Sequence, residues 1–324
     1  MWIKNRAAEG DPLQNFPGRC TMLAANIRLP ARAGSFYPAT RKSCELELAA
    51  CRAKATRLPA ELSGSGVRRI FGGVVPHAGW SYSGPTALAV FDALAIARPR
   101  PETAILFATS HRSDVHVPSL QASGAWRSPS GDAPIDTELA RAMLEEAGGA
   151  HLLADAPLAH EGDHAIEVQL PLLLDALPGT RFVPVAMPFG TLGPEVGRAA
   201  ARAAKRVGRR VVALASTDLT HYGPNHYGFA PKGVGMDAHR WSKEVNDRRF
   251  LERVLALDAT GAYAAAAEDH SACGPAAAAA AIAFALDSGA SKGLLLEHIT
   301  SWERMQHEQG EPEDFVGYAG VVFV

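Results

Sequence analysis

Side chains of metal-binding type stand at five positions that share one kind of placement. His77 lies in Pro76-His77-Ala78-Gly79-Trp80, His111 in Thr109-Ser110-His111, Asp218 and His221 in Ser216-Thr217-Asp218-Leu219-Thr220-His221, and Cys273 in Ala272-Cys273-Gly274-Pro275. Each stretch follows an apolar, strand-like run or opens a helix. In an open α/β sheet the ligand crevice forms beyond the carboxyl ends of the strands, so residues far apart in the chain converge when all sit at such ends. Imidazole and thiolate are ligands of iron, copper and zinc. His77, His111 and Cys273 would hold a metal while leaving positions open for substrate, water or oxygen.

Each residue also has a plainer reading. A lone turn histidine commonly makes a structural hydrogen bond, but His111 repeats the strand-end placement of His77. Cys273 could be a buried, inert thiol; against this, Gly274-Pro275 starts a helix, whose N-terminus favours the thiolate and predicts a lowered pKa. Asp218 and His221 are three residues apart after a strand, so one helical turn would bring both to one edge. There Asp218 would orient His221, and His221 would serve as acid or base; the alternative is a capping aspartate beside an unrelated histidine. Asp163 and His164, with Glu167 one turn later, form a second polar cluster suited to proton transfer or, more simply, to capping by Asp163. Ser81, Tyr82 and Ser83 either line the pocket or supply turn and cap chemistry.

The elements that must position these residues follow a β-turn-α rhythm. Continuous apolar runs predict strands over Ile70–Val75, Thr103–Thr109, Arg181–Met187 and Val211–Ser216, covered on both faces. Helices are expected over Thr40–Leu58, over Gly84–Ala97 with Ser83 as cap and Pro85 in the first turn, and over Ile135–Ala147 capped by Asp136 or Thr137. Others are expected over His164–Ala176, Gly193–Val207, Asp237–Leu257, Thr260–Ala267 and Pro275–Leu286. Strands over Leu294–Thr300 and Phe315–Val324 finish the sheet. This order predicts a three-layer α/β sandwich with a central, largely parallel or mixed sheet. Residues 1–27 are expected to form a flexible N-terminal extension and residues 28–324 a single domain.

Composition narrows the partners. The chain has 324 residues, 47% hydrophobic and 20% charged, and its net charge of -2 offers no field for holding a phosphate backbone, which argues against nucleic acid. Its four cysteines include no CxxC pair, which points to a reducing compartment. With no export-type apolar segment and no run long enough to span a membrane, a cytoplasmic protein is expected. A Gly-rich phosphate loop, a GxSxG elbow and an HExxH helix are all missing, which removes common nucleotide and hydrolase readings.

At these same residues the chain resembles the Memo family, the B component of the AmmeMemoRadiSam system and a relative of class III extradiol ring-opening dioxygenases. The resemblance rests on Ala33-Gly34-Ser35-Phe36-Tyr37-Pro38, on Pro76 to Gly84, on Ser110-His111, on Asp163 to Pro171, on Ser216 to Gly223, and on Cys273-Gly274. It implies a class III extradiol dioxygenase-like α/β fold with metal positions on His77, His111 and Cys273 and with Asp218 and His221 beside them. In the related dioxygenases the anionic ligand is a carboxylate, so a thiolate would change the metal preference and redox behaviour. Eukaryotic members are associated with cell motility and phosphotyrosine-peptide binding, and Phe36 takes the place of the aromatic residue involved.

The leading expectation is a non-haem redox enzyme that uses iron(II), with copper(I) or zinc as alternatives. In this reading His221 or His164 moves protons, Asp218 orients His221, and Phe36, Trp80, Tyr82 and Asp163 border the substrate. A non-catalytic module or metal chaperone would instead recruit a small-molecule or peptide ligand through Phe36, Trp80 and the loop after His221. A metal-assisted hydrolase is the third reading. The resemblance also implies a pathway link to radical-SAM and AMMECR-type proteins.

Overall fold

Four of the apolar runs form the parallel heart of one mixed sheet. In the computed structural model, which describes residues 26–63, 69–149, 151–305 and 310–324, Gly72–Val75 pairs with Val211–Ser216, which pairs with Thr103–Thr109, which pairs with Arg181–Met187, all parallel. Phe315–Phe323 runs antiparallel to Gly72–Val75 and also pairs with Gly293–Thr300 and His221–Tyr222. Ser119–Leu120 and Ala154–Asp155 complete the other edge, making nine strands among the described residues.

Side chains alternate across each strand and so enter opposite layers. Ile105 and Phe107 pack with Leu139, Met143, Val196 and Ala280 on one face. Ala104, Leu106 and Ala108 pack with Leu48, Leu88, Phe91 and Leu173 on the other. The first layer is built by the helices Thr137–Ala147, Gly193–Val207 and Pro275–Ser288; the second by Arg41–Lys54, Trp80–Ile96 and Leu170–Ala176. Full burial of side chains such as Phe107 contributes about 1.5–3 kcal/mol each. Both faces being covered is why these strands read as unbroken apolar runs.

Several boundaries follow from local chemistry. Thr40 and Asp136 cap their helices, accepting from the backbone N–H groups of Ser43 and Leu139. The helix Gly193–Val207 lies against Pro275–Ser288 because small residues face each other: a Cβ on Gly197 would stand 2.2 Å from the Ala280 carbonyl oxygen. The helix Trp80–Ile96 begins four residues before the expected start at Gly84, so Pro85 lies in its interior. Trp80 is buried, with Nε1 donating to the Val168 carbonyl at 3.1 Å, which anchors that earlier turn in the core. Ser83 does not cap the helix; its hydroxyl donates to the Ala78 carbonyl at 2.8 Å.

The expected helix His164–Ala176 is a 3-10 turn over Glu167–Gln169 followed by a helix over Leu170–Ala176. The run Asp237–Leu257 is broken by a π-helical segment, Ser242–Asp247. A small second sheet joins Ile27–Arg28, Ala125–Ser128 and Gly131–Pro134. Residues 1–25 of the expected extension, Cys20 among them, lie outside the described residues. Among the described residues no helix is long and apolar enough to cross a membrane.

Candidate functional site

Three parallel strands end side by side, and the chain leaves each one carrying a polar side chain. His77 follows Val75 and Pro76 and is 2% exposed. Its Nδ1 lies 3.2 Å from Ser216 Oγ. That hydroxyl already donates to the Ala165 carbonyl at 2.6 Å, so toward His77 it accepts, and Nδ1 carries the proton. The lone pair therefore sits on Nε2. Gln169 secures the arrangement by donating from Nε2 to Ser216 Oγ and to the Pro76 carbonyl. Burial lowers the pKa of His77, which keeps the ring neutral, as metal binding requires.

His111 is held in the same manner. Asp163 accepts from its backbone N–H at 2.7 Å and from Nδ1 at 3.2 Å, again leaving Nε2 free. Burial alone would lower the His111 pKa, but the hydrogen bond and charge of Asp163 outweigh it and the net shift is upward. His164 completes the group: one ring nitrogen from each of His77, His111 and His164 lies within 4.8 Å of the others. Its ring stacks on His111, with centroids 4.6 Å apart, and meets Phe36 at a tilt, with centroids 4.3 Å apart. Burial and the two neighbouring imidazoles bring the His164 pKa down to about 3. Three convergent ring nitrogens, those of His77 and His164 kept neutral by burial, match the donor set of a transition metal.

Cys273 and Asp218 sit beside His77 Nε2. The sulfur lies 3.4 Å from His77 Nε2 and accepts the backbone N–H of Asp218 at 3.3 Å. Gly274 allows this close seating, since a Cβ there would stand 2.9 Å from Thr217 Cβ. The lowered thiol pKa expected at a helix start is not found. Burial beside the Asp218 carboxylate outweighs the helix terminus and pushes the thiol up to about 12. Asp218 accepts the His77 backbone N–H at 2.7 Å and lies 3.8 Å from His221 Nε2. Burial works to raise its pKa, yet the His77 and His221 imidazoles hold it down to about 2. Asp218 and His221 reach one edge by an extended chain, not the expected helical turn: Leu219 bridges to Ala272, and His221 starts a short strand.

These groups open into a cavity of about 450 Å³ whose walls include Phe36, Tyr82, Tyr227, Val316 and Tyr318. Phe36 and Tyr82 thus line the pocket, whereas Trp80 lies in the core and Asp163 stands behind His111. Glu167 faces away from the cavity. It accepts from Arg28 Nη1, the backbone N–H groups of Ala31 and Arg32, and the Tyr37 hydroxyl, all at 2.7–2.9 Å, fastening the segment that carries Phe36. Glu167, expected in a proton-transfer cluster, is structural instead, and sequence reasoning missed Asp247. Its buried carboxylate accepts from the Thr220 backbone and hydroxyl and from His298, bracing the residue before His221. The π-helical turn that delivers Asp247 has no sequence signature; Ser216 and Gln169 were visible only as parts of longer motifs.

A family model described as Memo-like protein matches residues 28–322. The chain belongs to this family. A MEMO1 family protein of Thermococcus onnurineus is 34% identical over 307 residues, covering 92% of this chain and 99% of the relative. A second, from Methanopyrus kandleri, is 34% identical over 302 residues, covering 91% and 98%. Among solved structures, an uncharacterized Escherichia coli protein overlaps 79% of this chain and 100% of its own with a TM-score of 0.46 at 14% identity. As a Memo-like chain, this one presents its histidines, Asp218 and Cys273 within the matched span.

Proposed function

We propose that this Memo-like protein is a metal-dependent redox enzyme acting on a small organic molecule. The metal would be held by His77, His111 and a third ligand, either His164 or Cys273. One observation carries the reading: Ser216 and Asp163 occupy Nδ1 of His77 and His111, so both rings turn an unprotonated Nε2 inward. Iron(II) is the first candidate, with copper(I) and zinc as alternatives, and a redox-active ion bound there would supply electron transfer at an open coordination position.

The chain's own residues do the rest. His221 Nε2 is buried without a hydrogen-bond partner among the described residues, so it is free to take or give a proton in the pocket. Asp218 sets the orientation of that ring. Phe36 keeps His164 from turning away. A cytoplasmic location is part of the reading, and so is a pathway link to radical-SAM and AMMECR-type proteins.

The proximity of a thiol to His77 favours a second reading, a copper(I) carrier without turnover. A metal-assisted hydrolase is the third. Elemental analysis of anaerobically purified protein, followed by oxygen uptake of the iron-loaded form with a panel of catechols, separates the three. Oxygen uptake supports the enzyme, metal transfer without turnover supports the carrier, and anaerobic hydrolysis with zinc supports the hydrolase. The shared centre is tested by metal titration of His77→Ala, His111→Ala and the double variant. Losses well short of additive are expected, since a broken site is not broken twice, and additive losses would separate the two histidines.

A further inference from the structure

The wall of the cavity has a chemistry of its own. Four aromatic rings, Phe36, Tyr82, Tyr227 and Tyr318, share its lining with two carboxylates, Asp218 and Asp314, and no lysine or arginine is among the lining residues. Tyr82 and Tyr227 are 37% and 43% exposed, an unusual openness for large rings that face a cleft. The nearby cations are already committed elsewhere. Arg304 pairs with Glu297 at 2.8 Å and donates to Thr86, and Arg112 pairs with Asp114.

An anion entering here would leave water, meet two carboxylates and find no lysine or arginine to pair with. A positive group would meet the negative faces of the rings and the field of both carboxylates, which is the arrangement that recognises organic ammonium ions. Asp314 also fixes the cage in place. Its carboxylate accepts the backbone N–H groups of Asn225 and His226, at 3.2 and 3.0 Å, and the Asn225 side chain at 2.8 Å, which seats the loop carrying Tyr227.

We propose that this pocket is an aromatic cage for the ammonium group of an organic amine, with the exposed Tyr82 and Tyr227 at its rim, Phe36 and Tyr318 in its wall, and Asp218 and Asp314 as counter-charges. The proposal deepens the reading above and rests on it only for the direction in which the ligand's other end points, toward His77, His111 and His164. The cage itself needs no metal.

The test is a ring-matched series of three probes: tyramine, which carries an ammonium; 4-ethylphenol, which is neutral; and 4-hydroxyphenylacetate, which is anionic. Affinities are measured calorimetrically on the full-length protein after chelator treatment and again after reloading with zinc. In the chelated protein tyramine is expected to bind at least tenfold tighter than 4-ethylphenol, with the acid weakest. Tyr82→Leu and Tyr227→Leu should each weaken tyramine at least fivefold more than they weaken 4-ethylphenol. Tighter or equal binding of the neutral or acidic probe, equal losses for both ligands in the variants, or no tyramine binding at 10 mM overturns the cage. Metal titration of the same preparations reports separately on the imidazole centre, so a protein that binds no metal but keeps the amine preference would sink the redox reading and leave the cage standing.

Discussion

The sulfur of Cys273 lies 3.4 Å from Nε2 of His77, the nitrogen whose lone pair faces the imidazole cluster. Because Nδ1 of that ring holds the proton, the thiol donates to Nε2 and occupies its lone pair. A metal entering between them must displace this hydrogen bond and take the thiol proton away. His164 offers a nitrogen that needs no such deprotonation.

The two candidates for third ligand are therefore separable. If sulfur ligates, Cys273→Ser should lower metal affinity at least tenfold and abolish the thiolate charge-transfer band of the cobalt-substituted protein, with far-ultraviolet circular dichroism unchanged. An intact affinity in Cys273→Ser together with a large loss in His164→Ala would assign the third position to nitrogen.

Asp163 fixes which nitrogen of His111 is free. Asp163→Asn replaces the carboxylate with an amide, and the loss of its hold on Nδ1 is expected to weaken metal binding about 10–100-fold. Competition titration against a chromophoric chelator measures it. An affinity within twofold of the parent would mean that His111 is oriented by its stacking on His164 alone.

Glu167 matters for stability. Its side chain is fully buried and pairs with Arg28, itself 10% exposed. Glu167→Ala would leave that guanidinium without its charge partner, though still bonded to the His160 and Asp163 carbonyls, and two backbone N–H groups without an acceptor, a loss of about 3–5 kcal/mol in urea unfolding. A loss under about 1 kcal/mol would show that water replaces the carboxylate.

His160 makes stability depend on acid. Burial and the neighbouring Arg28 charge bring its pKa from 6.5 down to about 3, and its Nε2 has no hydrogen-bond partner among the described residues. The unfolded chain therefore takes up this proton first as the pH falls. The contribution is complete above about pH 6.5 and declines toward pH 3, by up to about 1.4 kcal/mol per pH unit. In His160→Phe the acid limb of unfolding free energy against pH should be shallower by that one proton. Superimposable limbs would assign the acid sensitivity to other groups.

What the sequence disclosed depends on how locally each feature is determined. Thr103–Thr109, Arg181–Met187, Val211–Ser216 and Gly193–Val207 have the bounds that their apolar patterns indicate, because burial on two faces or one writes itself into every residue. The approach of His77, His111, Asp218, His221 and Cys273 was legible from strand ends alone. The Cys273 pKa was not, since it depends on Asp218, fifty-five residues away in the chain. His164 was legible as a polar group at a turn, but its entry into the imidazole cluster depends on ring contacts with His111 and Phe36, distant in the chain. Strands of two to four residues such as Ser119–Leu120 and Ala125–Ser128 are too short to show a period.

Phe315–Phe323, the last of the nine strands in chain order, is buried along its whole length and is hydrogen-bonded on both sides within the sheet. It carries Val316 and Tyr318 into the cavity wall. The sheet therefore cannot close until this strand is in place, because Gly72–Val75 and Gly293–Thr300 meet only through it. Until then the edge of Gly72–Val75 that leads to His77 would stand open to any passing strand, so the interval between synthesis and closure is when this chain most needs a chaperone.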